Sequence, residues 1–490
     1  LIISFFIRKF KPNEPAIKRR RHIKKYTYLA LAVIYIVFAF FGHSWQNEVR
    51  KLVEQPAVNE FYILAVILVT ILIVAFILLI SRSIRSLYGW LKALINRHIP
   101  KAIAYTAAWI ISAIIVIGIL NGFILSGAMS LLDQAYSVKN GTTEEGIVQP
   151  TSASLSGSTS SLIPWDSLGR QGRNFIGRAT TTDKLTNFNQ TPAQQPVRIY
   201  AGLKSADNTE DRAQLAVNDL KRAGGFNKKI IEVVTTTGTG WVDEEGAAPI
   251  EYMYNGDSAI VSMQYSYLPS SLSFLVDQQK AKDAGNQLYN AVYNEALKIP
   301  AEQRPKVVVF GESLGSFGGE AAFANLASFK TTTDGAVWAG PPNFNILRKT
   351  ATADRDAGTP EILPVYQKCQ NIRFSVRPDD VKKPGPQWDS PKAIYLENSS
   401  DPIVWWSPAL LFHKPDWLKE PRGADVSTKT HWLPIITFWE VSGDMVFSTG
   451  VPDGHGHKYG TMPTDAWSYV APPDGWTPQK TQALKAALGG

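Results

Sequence analysis

The feature that most limits how this chain can fold is an apolar run from Phe61 to Ile80, FYILAVILVTILIVAFILLI, which contains no charged residue. A helix that crosses a bilayer needs about 20 apolar residues. A core helix of a soluble protein rarely runs this far without a polar face. The run therefore predicts a transmembrane helix. Comparable runs from Tyr26 to Trp45 and from Ile103 to about Leu132 predict two more, so residues 1–136 are expected to form an all-α transmembrane bundle of at least three helices.

Basic residues predict how these helices are oriented. Lys18-Arg19-Arg20-Arg21 precedes the first helix, and the loop between the second and third helices, residues 81–102, is basic with no acidic residue. Lys and Arg are retained on the cytoplasmic side, so we expect a cytoplasmic N-terminus and an exterior location for everything after the third helix. The basic and apolar residues at 84–99 alternate at helical spacing, which favours a segment lying in the inner interface. The chain starts with the apolar LIISFFI and not with Met, which leaves room for an earlier membrane helix.

Composition narrows the classes of function. Much of the formal net charge of +8 lies in the first 25 residues, beside apolar segments, where it is a topology signal and not a nucleic-acid site. Cys369 is the single cysteine, which excludes an intramolecular disulfide and a zinc site built on several cysteines. The sequence thus predicts no cofactor, no metal and no nucleic-acid partner, and it carries no signal for an oligomeric state.

The rest of the chain has the pattern of a globular α/β domain. Residues 137–162 are rich in Ser, Thr and Gly, which favours a flexible tether. We expect residues 137–195 to form this linker and a lead-in segment, and residues 196–490 to form the extracytoplasmic α/β-hydrolase domain. Within that domain short apolar runs alternate with helical patterns, as in a mostly parallel sheet with helices on both faces. The runs predicted as strands are 196–203, 229–235, 258–265, 306–310, 335–339 and 392–397.

The most specific motif lies in KVVVFGESLGSFGGE, residues 306–320. A buried-type strand is followed by Gly-Glu-Ser-Leu-Gly and then by a helix start rich in small residues, which is the pattern of a nucleophile elbow. The serine occupies a strained strand-to-helix turn, where side chains at the flanking glycines would collide with backbone. Ser313 is therefore the predicted nucleophile; the alternative is an ordinary glycine-rich turn.

A serine nucleophile needs a base, and the loop PDGHGHKYG near the C-terminus offers His455 and His457. Residues two apart in an extended loop point in opposite directions, so only one of them can be the base. His457 is favoured because the helical pattern from Pro463 starts at a suitable distance beyond it. A metal site at this pair is disfavoured, because no carboxylate or cysteine cluster accompanies it.

The predicted acid is Asp401, at the polar turn that ends the apolar segment AIYLENSSDPIVW. The order Ser, acid, His then matches that of the α/β-hydrolases. A plain Asp-Pro turn is the alternative. Asp444 is the second candidate acid, and it is disfavoured because it leaves little room for a strand before the histidine loop.

The predicted oxyanion hole consists of two backbone N–H groups. One is that of Leu314, directly after the nucleophile. The other is expected from the turn Thr239-Gly240-Trp241, which follows an early strand; a plain loop is the alternative.

With these residues in view, the chain resembles the actinobacterial α/β-hydrolases that carry a multi-helix membrane region at the N-terminus. The resemblance is carried by IPWDSLGRQGRNF, TGTGWVD, MQYSYLPSSLS, FGESLGS, ENSSDPIVWW and PDGHGHKYG. It implies an α/β-hydrolase fold and a Ser-Asp-His triad, matched by Ser313, Asp401 and one of His455 or His457. It implies no particular substrate.

Three functions follow as hypotheses. The first is an esterase or lipase that acts on an acyl ester or membrane lipid at the outer leaflet, with Trp405-Trp406 and Tyr265 to Leu268 either contacting the acyl chain or lying in the core. The second is an acyltransferase of envelope lipids that uses the same acyl-enzyme. The third is a non-catalytic membrane assembly protein, which an intact Ser, Asp and His set disfavours.

Overall fold

The computed structural model describes residues 14–59, 61–119, 126–382 and 388–489. The chain divides into two compact units, Leu1–Ile124 and Leu125–Gly490. The apolar start LIISFFI lies outside the described residues.

The first unit contains long apolar helices. Its helices are α1 (Glu14–Leu52), α2 (Phe61–Ile95) and α3 (Lys101–Gly118). Within the described residues, His22–Leu52 and α2 are long and apolar enough to cross a membrane, by length and composition. They contain the first two predicted spans, and the Tyr35 hydroxyl lies 2.7 Å from Thr70 Oγ1 between them.

The third predicted span is only partly covered by the described residues. The helix α3 is apolar but shorter than a membrane span, residues 120–125 lie outside the described residues, and the next helix is described from Ser126. Among the described residues two helices reach the length of a span, and the third span stays a prediction. Residues 84–95 continue α2 without a break, because basic residues at helical spacing are as compatible with the end of a long helix as with a separate one.

The second unit is built on a parallel sheet. Its strand order is β1-β3-β2-β4-β5-β7-β6, and every pairing is parallel. Most strand residues are buried, as expected when helices cover both faces of a sheet. The strands are β1 (Val197–Ala201), β2 (Ile230–Thr235), β3 (Ser258–Met263), β4 (Lys306–Glu312), β5 (Gly335–Ala339), β6 (Ile372–Ser375) and β7 (Lys392–Leu396).

Helices connect these strands in the alternation expected from the sequence. In the first half of the unit they are α4 (Ser126–Asn140), α5 (Gly169–Gly177), α6 (Thr182–Asn189), α7 (Thr209–Arg222), α8 (Glu244–Met253), α9 (Ser270–Val276) and α10 (Gln278–Ala296). In the second half they are α11 (Leu314–Glu320), α12 (Leu326–Thr332), α13 (Ile346–Ala353), α14 (Pro402–Trp405), α15 (Ile436–Phe447), α16 (Met462–Val470) and α17 (Pro478–Leu488). Short 3-10 turns lie at Trp165–Ser167, Gly225–Asn227, Gln367–Cys369, Pro378–Lys382, Pro408–Leu411 and Asp416–Leu418.

The flexible tether predicted for residues 137–162 is not found. Ser156 Oγ and Ser161 Oγ donate to the buried carboxylate of Asp219, at 2.9 and 2.8 Å, and Ser156 Oγ also accepts from Tyr200 N in β1. The compact unit starts near residue 125 and not at 196. Serine-rich composition was misleading here because the hydroxyl groups pair with the folded domain and not with water.

The segment between β7 and the C-terminal helices forms a small core together with Ile362. Trp405, Trp417, Leu410 and Val441 are buried together there. This segment, residues 402–447, contains α14 and α15 and no strand. It lies in the chain between the two predicted triad members Asp401 and His457.

Candidate active site

Ser313 lies at a sharp turn between β4 and α11. Its φ of 54° and ψ of −126° fall outside the regions that non-glycine residues normally adopt. Its N–H donates to the Ala339 carbonyl at the end of β5, at 2.9 Å. A strained backbone held by an adjacent strand is typical of functional sites, and it is the geometry predicted for a nucleophile elbow.

Two glycines make this turn possible. A Cβ added at Gly311 would overlap the Gly315 carbonyl group, and one added at Gly315 would overlap the Thr235 carbonyl oxygen in β2. Any side chain at either position would force β4, α11 and β2 apart. The spacing of glycine on both sides of Ser313 thus follows from how closely three backbone segments meet.

The structure pairs His457 with Asp401. His457 Nδ1 lies 2.6 Å from Asp401 Oδ2, and that oxygen also accepts from the Tyr459 hydroxyl at 2.7 Å. The other carboxylate oxygen accepts from Ile403 N at 2.8 Å. Asp401 is completely buried, so these donors replace the water that its charge would otherwise bind. The second imidazole nitrogen, His457 Nε2, is buried without a partner.

Gly340 links this pair to the serine. A Cβ added at Gly340 would overlap His457 Cε1 and lie 2.8 Å from Nδ1. Gly340 directly follows Ala339, whose carbonyl accepts the N–H of Ser313. The imidazole therefore packs on the backbone next to the peptide that fixes the serine.

Candidate oxyanion donors belong to the first turn of α11 and to the turn that follows β2. Leu314 N belongs to the first turn of α11, where N–H groups have no partner within the helix. In the turn after β2, Gly240 N donates to the Thr237 carbonyl at 2.9 Å, so Gly240 is wrong as a predicted donor. In the part of the chain that the structure describes, Thr239 N and Trp241 N have no acceptor, and both stay predictions.

Comparisons with known proteins agree with this fold. A family model described as Alpha/beta-hydrolase family matches residues 197–484, and one described as Alpha/beta-hydrolase family N-terminus matches residues 1–179. The chain belongs to the alpha/beta-hydrolase family. This confirms, at the level of the family, the resemblance drawn from the sequence.

Other comparisons add little to the family assignment. No curated protein matches this hydrolase. Among solved structures, it is similar to a Trichoderma reesei cutinase in complex with a C11Y4 phosphonate inhibitor, at 14% identity, over 41% of this chain and 78% of the cutinase chain. The TM-score is 0.23, and a likeness at that level carries no argument about site or substrate.

The second histidine of the loop has a different partner. His455 Nδ1 lies 3.1 Å from Asp425 Oδ2, and the same carboxylate oxygen accepts from the Ser400 hydroxyl. Ser400 Oγ in turn accepts from Gly456 N at 2.8 Å. His455 therefore helps to attach the histidine loop to the turn that carries Asp401, and it does not contact Asp401 itself.

A buried ion pair fixes the base of that turn. Glu397 directly follows β7, and its two carboxylate oxygens accept from Arg348 Nε and a terminal nitrogen, at 2.7 and 3.1 Å. Both side chains are almost fully buried. Asn398, the next residue, donates its Nδ2 to the Gly456 and Lys458 carbonyls of the histidine loop. The acid turn and the histidine loop are thus held together by several independent contacts.

Asp444 lies away from this arrangement. It belongs to α15 and is exposed, whereas Asp401 holds the position next to the imidazole. The reason first given against Asp444 was wrong, because no strand lies between Asp401 and His457 among the described residues.

A second pair of carboxyl groups lies beside the serine. Glu312, the residue before Ser313, is hydrogen-bonded to Asp243, which caps the N-terminus of α8. Removal from water and the neighbouring Glu245 raise the pKa of Asp243 to about 7. Burial, with the nearby Asp243 carboxylate, raises the pKa of Glu312 well above its usual range. At least one of these two groups therefore carries a proton near neutral pH.

The remaining expectations concern metal ions and aromatic side chains. Among the described residues, no group of three or more His, Cys, Asp or Glu side chains could hold a metal ion. Trp405, Tyr265 and Leu268 are buried core residues, so they do not form an exposed acyl surface. The sequence analysis missed Tyr459, although it lies in the glycine-rich loop that carries both histidines. It also missed Gly340, which directly follows the predicted strand 335–339.

Proposed function

We propose that this hydrolase is a serine esterase that cleaves acyl esters through an acyl-enzyme on Ser313. In this proposal His457 is the general base and Asp401 orients it. The observation that carries the proposal is the 2.6 Å contact between His457 Nδ1 and Asp401 Oδ2, on an imidazole whose Nε2 is buried without a partner. That imidazole packs against Gly340, beside the peptide that fixes the strained serine.

The chemistry follows from these positions. His457 Nε2 accepts the hydroxyl proton of Ser313 as Oγ attacks the ester carbonyl, and Asp401 stabilises the imidazolium that forms. The tetrahedral oxyanion is stabilised by N–H groups such as that of Leu314. The imidazolium then gives its proton to the departing alcohol, and the acyl group stays on Ser313. A water molecule, deprotonated by the same imidazole, releases the acid.

Exposed apolar side chains support an acyl substrate. In an all-parallel sheet the carboxyl ends of the strands lie at one edge, and that edge carries Ser313. The segments that follow β3, β5 and β7 along the chain expose large apolar side chains. These include Leu275, Ile346, Phe412, Trp439, Val446 and Phe447. Apolar surface of this kind favours contact with lipid chains over a purely water-soluble substrate.

The two apolar helices support a location at the membrane. We propose that His22–Leu52 and α2 anchor the protein, with α3 in the third crossing predicted from the sequence, so that the hydrolase unit lies outside the cytoplasm. Basic residues precede the apolar part of α1 and separate the apolar parts of α2 and α3, which favours the cytoplasmic side for both. Protease added to intact spheroplasts should then digest the hydrolase unit and spare residues 82–101. Full protection of the hydrolase unit would contradict this orientation.

The catalytic proposal is tested with a fluorophosphonate probe and with acyl esters of several chain lengths. Full-length protein in detergent should gain the mass of one probe at Ser313 and hydrolyse the esters. Ser313→Ala and His457→Gln should each reduce turnover by about 10⁴-fold or more. Matched controls are Ser468→Ala, whose hydroxyl donates to a helix carbonyl, and His431→Gln, at an exposed histidine. Undiminished hydrolysis by Ser313→Ala, or a probe bound at another serine, would refute the assignment.

The same assay separates the two alternatives. An acyltransferase would pass the acyl group from Ser313 to a hydroxyl acceptor, so that adding an alcohol would yield a new ester in place of free acid. An assembly protein without catalysis would neither bind the probe nor turn over any ester. Either outcome would replace the esterase proposal.

A further inference from the structure

A cavity of about 360 Å³ lies beside the turn that follows β2. Its lining includes Lys139 at the end of α4 and Arg170 and Arg178 at the two ends of α5. The opposite wall is formed by Thr239 and Trp241. This cavity belongs entirely to the second compact unit, and the proposed mechanism makes no use of it.

The turn that forms one wall also adjoins the nucleophile helix. The Thr235 carbonyl, at the start of this turn, is the group that a side chain at Gly315 would overlap. Gln264 Nε2 donates both to the Thr239 carbonyl, at 2.8 Å, and to Asn140 Oδ1 in α4, at 3.1 Å. The turn that adjoins the nucleophile helix at Thr235 therefore also lines the cavity, at Thr239 and Trp241.

The charges around the cavity are predominantly positive. Arg170 and Arg178 flank Glu144, at 3.3 and 2.8 Å. The hydrogen bond from Asn174, together with the charges of the two arginines, lowers the pKa of that carboxyl. Lys139 is exposed, and within the described residues its ammonium has no ion-pair partner. The lining thus contains three cations and one carboxylate. One carboxylate leaves an excess of two positive charges facing a space large enough for a polar group.

We propose that this cavity binds a phosphate group carried by the substrate, so that the enzyme prefers acyl esters with an anionic head. Guanidinium and ammonium groups are the usual protein partners of phosphate. Trp241 and Tyr267 add flat surfaces on which the non-polar part of a head group can rest. The proposal that phosphate binds here is supported by the cavity alone. The proposal that this phosphate belongs to the substrate rests on the proposed esterase function.

The experiment compares two substrates that differ only in the phosphate. Full-length protein in detergent is assayed on 1-acylglycerol 3-phosphate and on the matching 1-acylglycerol. We expect kcat/KM to be at least about tenfold higher for the phosphate-bearing ester, and the preference to shrink as salt screens the charges. Lys139→Gln combined with Arg170→Gln should remove the preference and leave hydrolysis of 1-acylglycerol unchanged. Lys298→Gln, at the opposite edge of the sheet, is the control.

A binding measurement separates the two proposals. Inorganic phosphate and glycerol 3-phosphate should raise the thermal unfolding temperature of the wild type but not that of the double variant. If the unfolding temperature rises but no ester is hydrolysed, the esterase proposal is refuted and the phosphate site is kept. If the unfolding temperature rises and both esters are hydrolysed equally, the site is assigned to a soluble phosphate compound. No shift and no preference, or an equal loss of both activities in the double variant, would overturn the phosphate site.

Discussion

The Tyr459 hydroxyl lies 2.7 Å from Asp401 Oδ2. This is the oxygen that also contacts the imidazole of His457, so the tyrosine and the histidine bind the same carboxylate oxygen. Asn398 N donates to the same tyrosine oxygen, so Tyr459 attaches the histidine loop to the acid turn at two points.

Replacing Tyr459 by Phe should weaken catalysis without abolishing it. A hydrogen bond to a charged group contributes about 1.5–3 kcal/mol, and without it the carboxylate is less firmly oriented toward His457. We expect kcat for a short acyl ester to fall about tenfold while KM stays close to that of the wild type. Tyr293→Phe, which removes an exposed hydroxyl contact with the Thr331 carbonyl, should have no effect. An unchanged kcat in Tyr459→Phe would show that the hydroxyl does not orient the acid.

Gly340→Ala should displace the base. The added Cβ would overlap the His457 ring, and the glycine has a φ of +54° that disfavours any side chain. We expect kcat to fall by tenfold or more, together with slower labelling of Ser313 by the fluorophosphonate. Gly358→Ala is the matched control, since Gly358 also has a positive φ, of +84°, but faces open space. Equal effects of the two substitutions would assign the loss to backbone strain and not to the histidine.

Removing one partner of the buried ion pair should destabilise the hydrolase unit. In Arg348→Met the carboxylate of Glu397 stays buried without its bidentate partner, which typically costs about 3–5 kcal/mol. Denaturant unfolding in detergent, followed by tryptophan fluorescence, should show this loss. Arg348→Met combined with Glu397→Leu should recover most of it, because no uncompensated charge remains. A double variant as unstable as the single one would contradict this explanation.

The Asp243–Glu312 pair should make stability depend on pH. The unfolded chain releases the Asp243 proton near its ordinary pKa of 3.8, whereas the folded protein holds it up to about pH 7. Stability should therefore fall as the pH rises from about 4 to 7, because the unfolded state then binds fewer protons. Asp243→Asn should flatten this dependence and raise the unfolding temperature at pH 8 more than at pH 5. Asp183→Asn, at an exposed aspartate, should change neither the pH dependence of stability nor the unfolding temperature. A wild type that is equally stable at pH 5 and pH 8 would contradict the pKa shift.

The nucleophile turn could be predicted from sequence because its strand, its glycine-flanked serine and its helix are contiguous in residues 306–320. A side chain at Gly311 would overlap Gly315 in the same turn, whereas the contact of Gly315 with Thr235 in β2 is long-range. The choice between His455 and His457 could not be settled in the same way. It depends on where Asp401 and Asp425 lie, and these residues are distant along the chain from the histidine loop.

Other failures have similar causes. The Ser-rich segment before β1 resembled a tether, because composition does not reveal that Ser156 bonds to Asp219. The strand β6 escaped prediction because it is only four residues long, IRFS, and lies at the edge of the sheet beside β7. The position of β6 beside β7, the strand that precedes Asp401, is set by long-range topology, which a local sequence pattern does not reveal.

The contacts between the acid turn and the histidine loop bring the two ends of residues 402–447 together, at a place called here the neck of this segment. Asp401 and His457 meet at the neck, and the segment beyond it shares a small tryptophan-rich core with Ile362. The cost of closing a longer or shorter loop changes slowly with its length. The segment is therefore an exchangeable module: one of different length or surface can be grafted at this neck, altering what reaches the serine while the pair at its base stays in register.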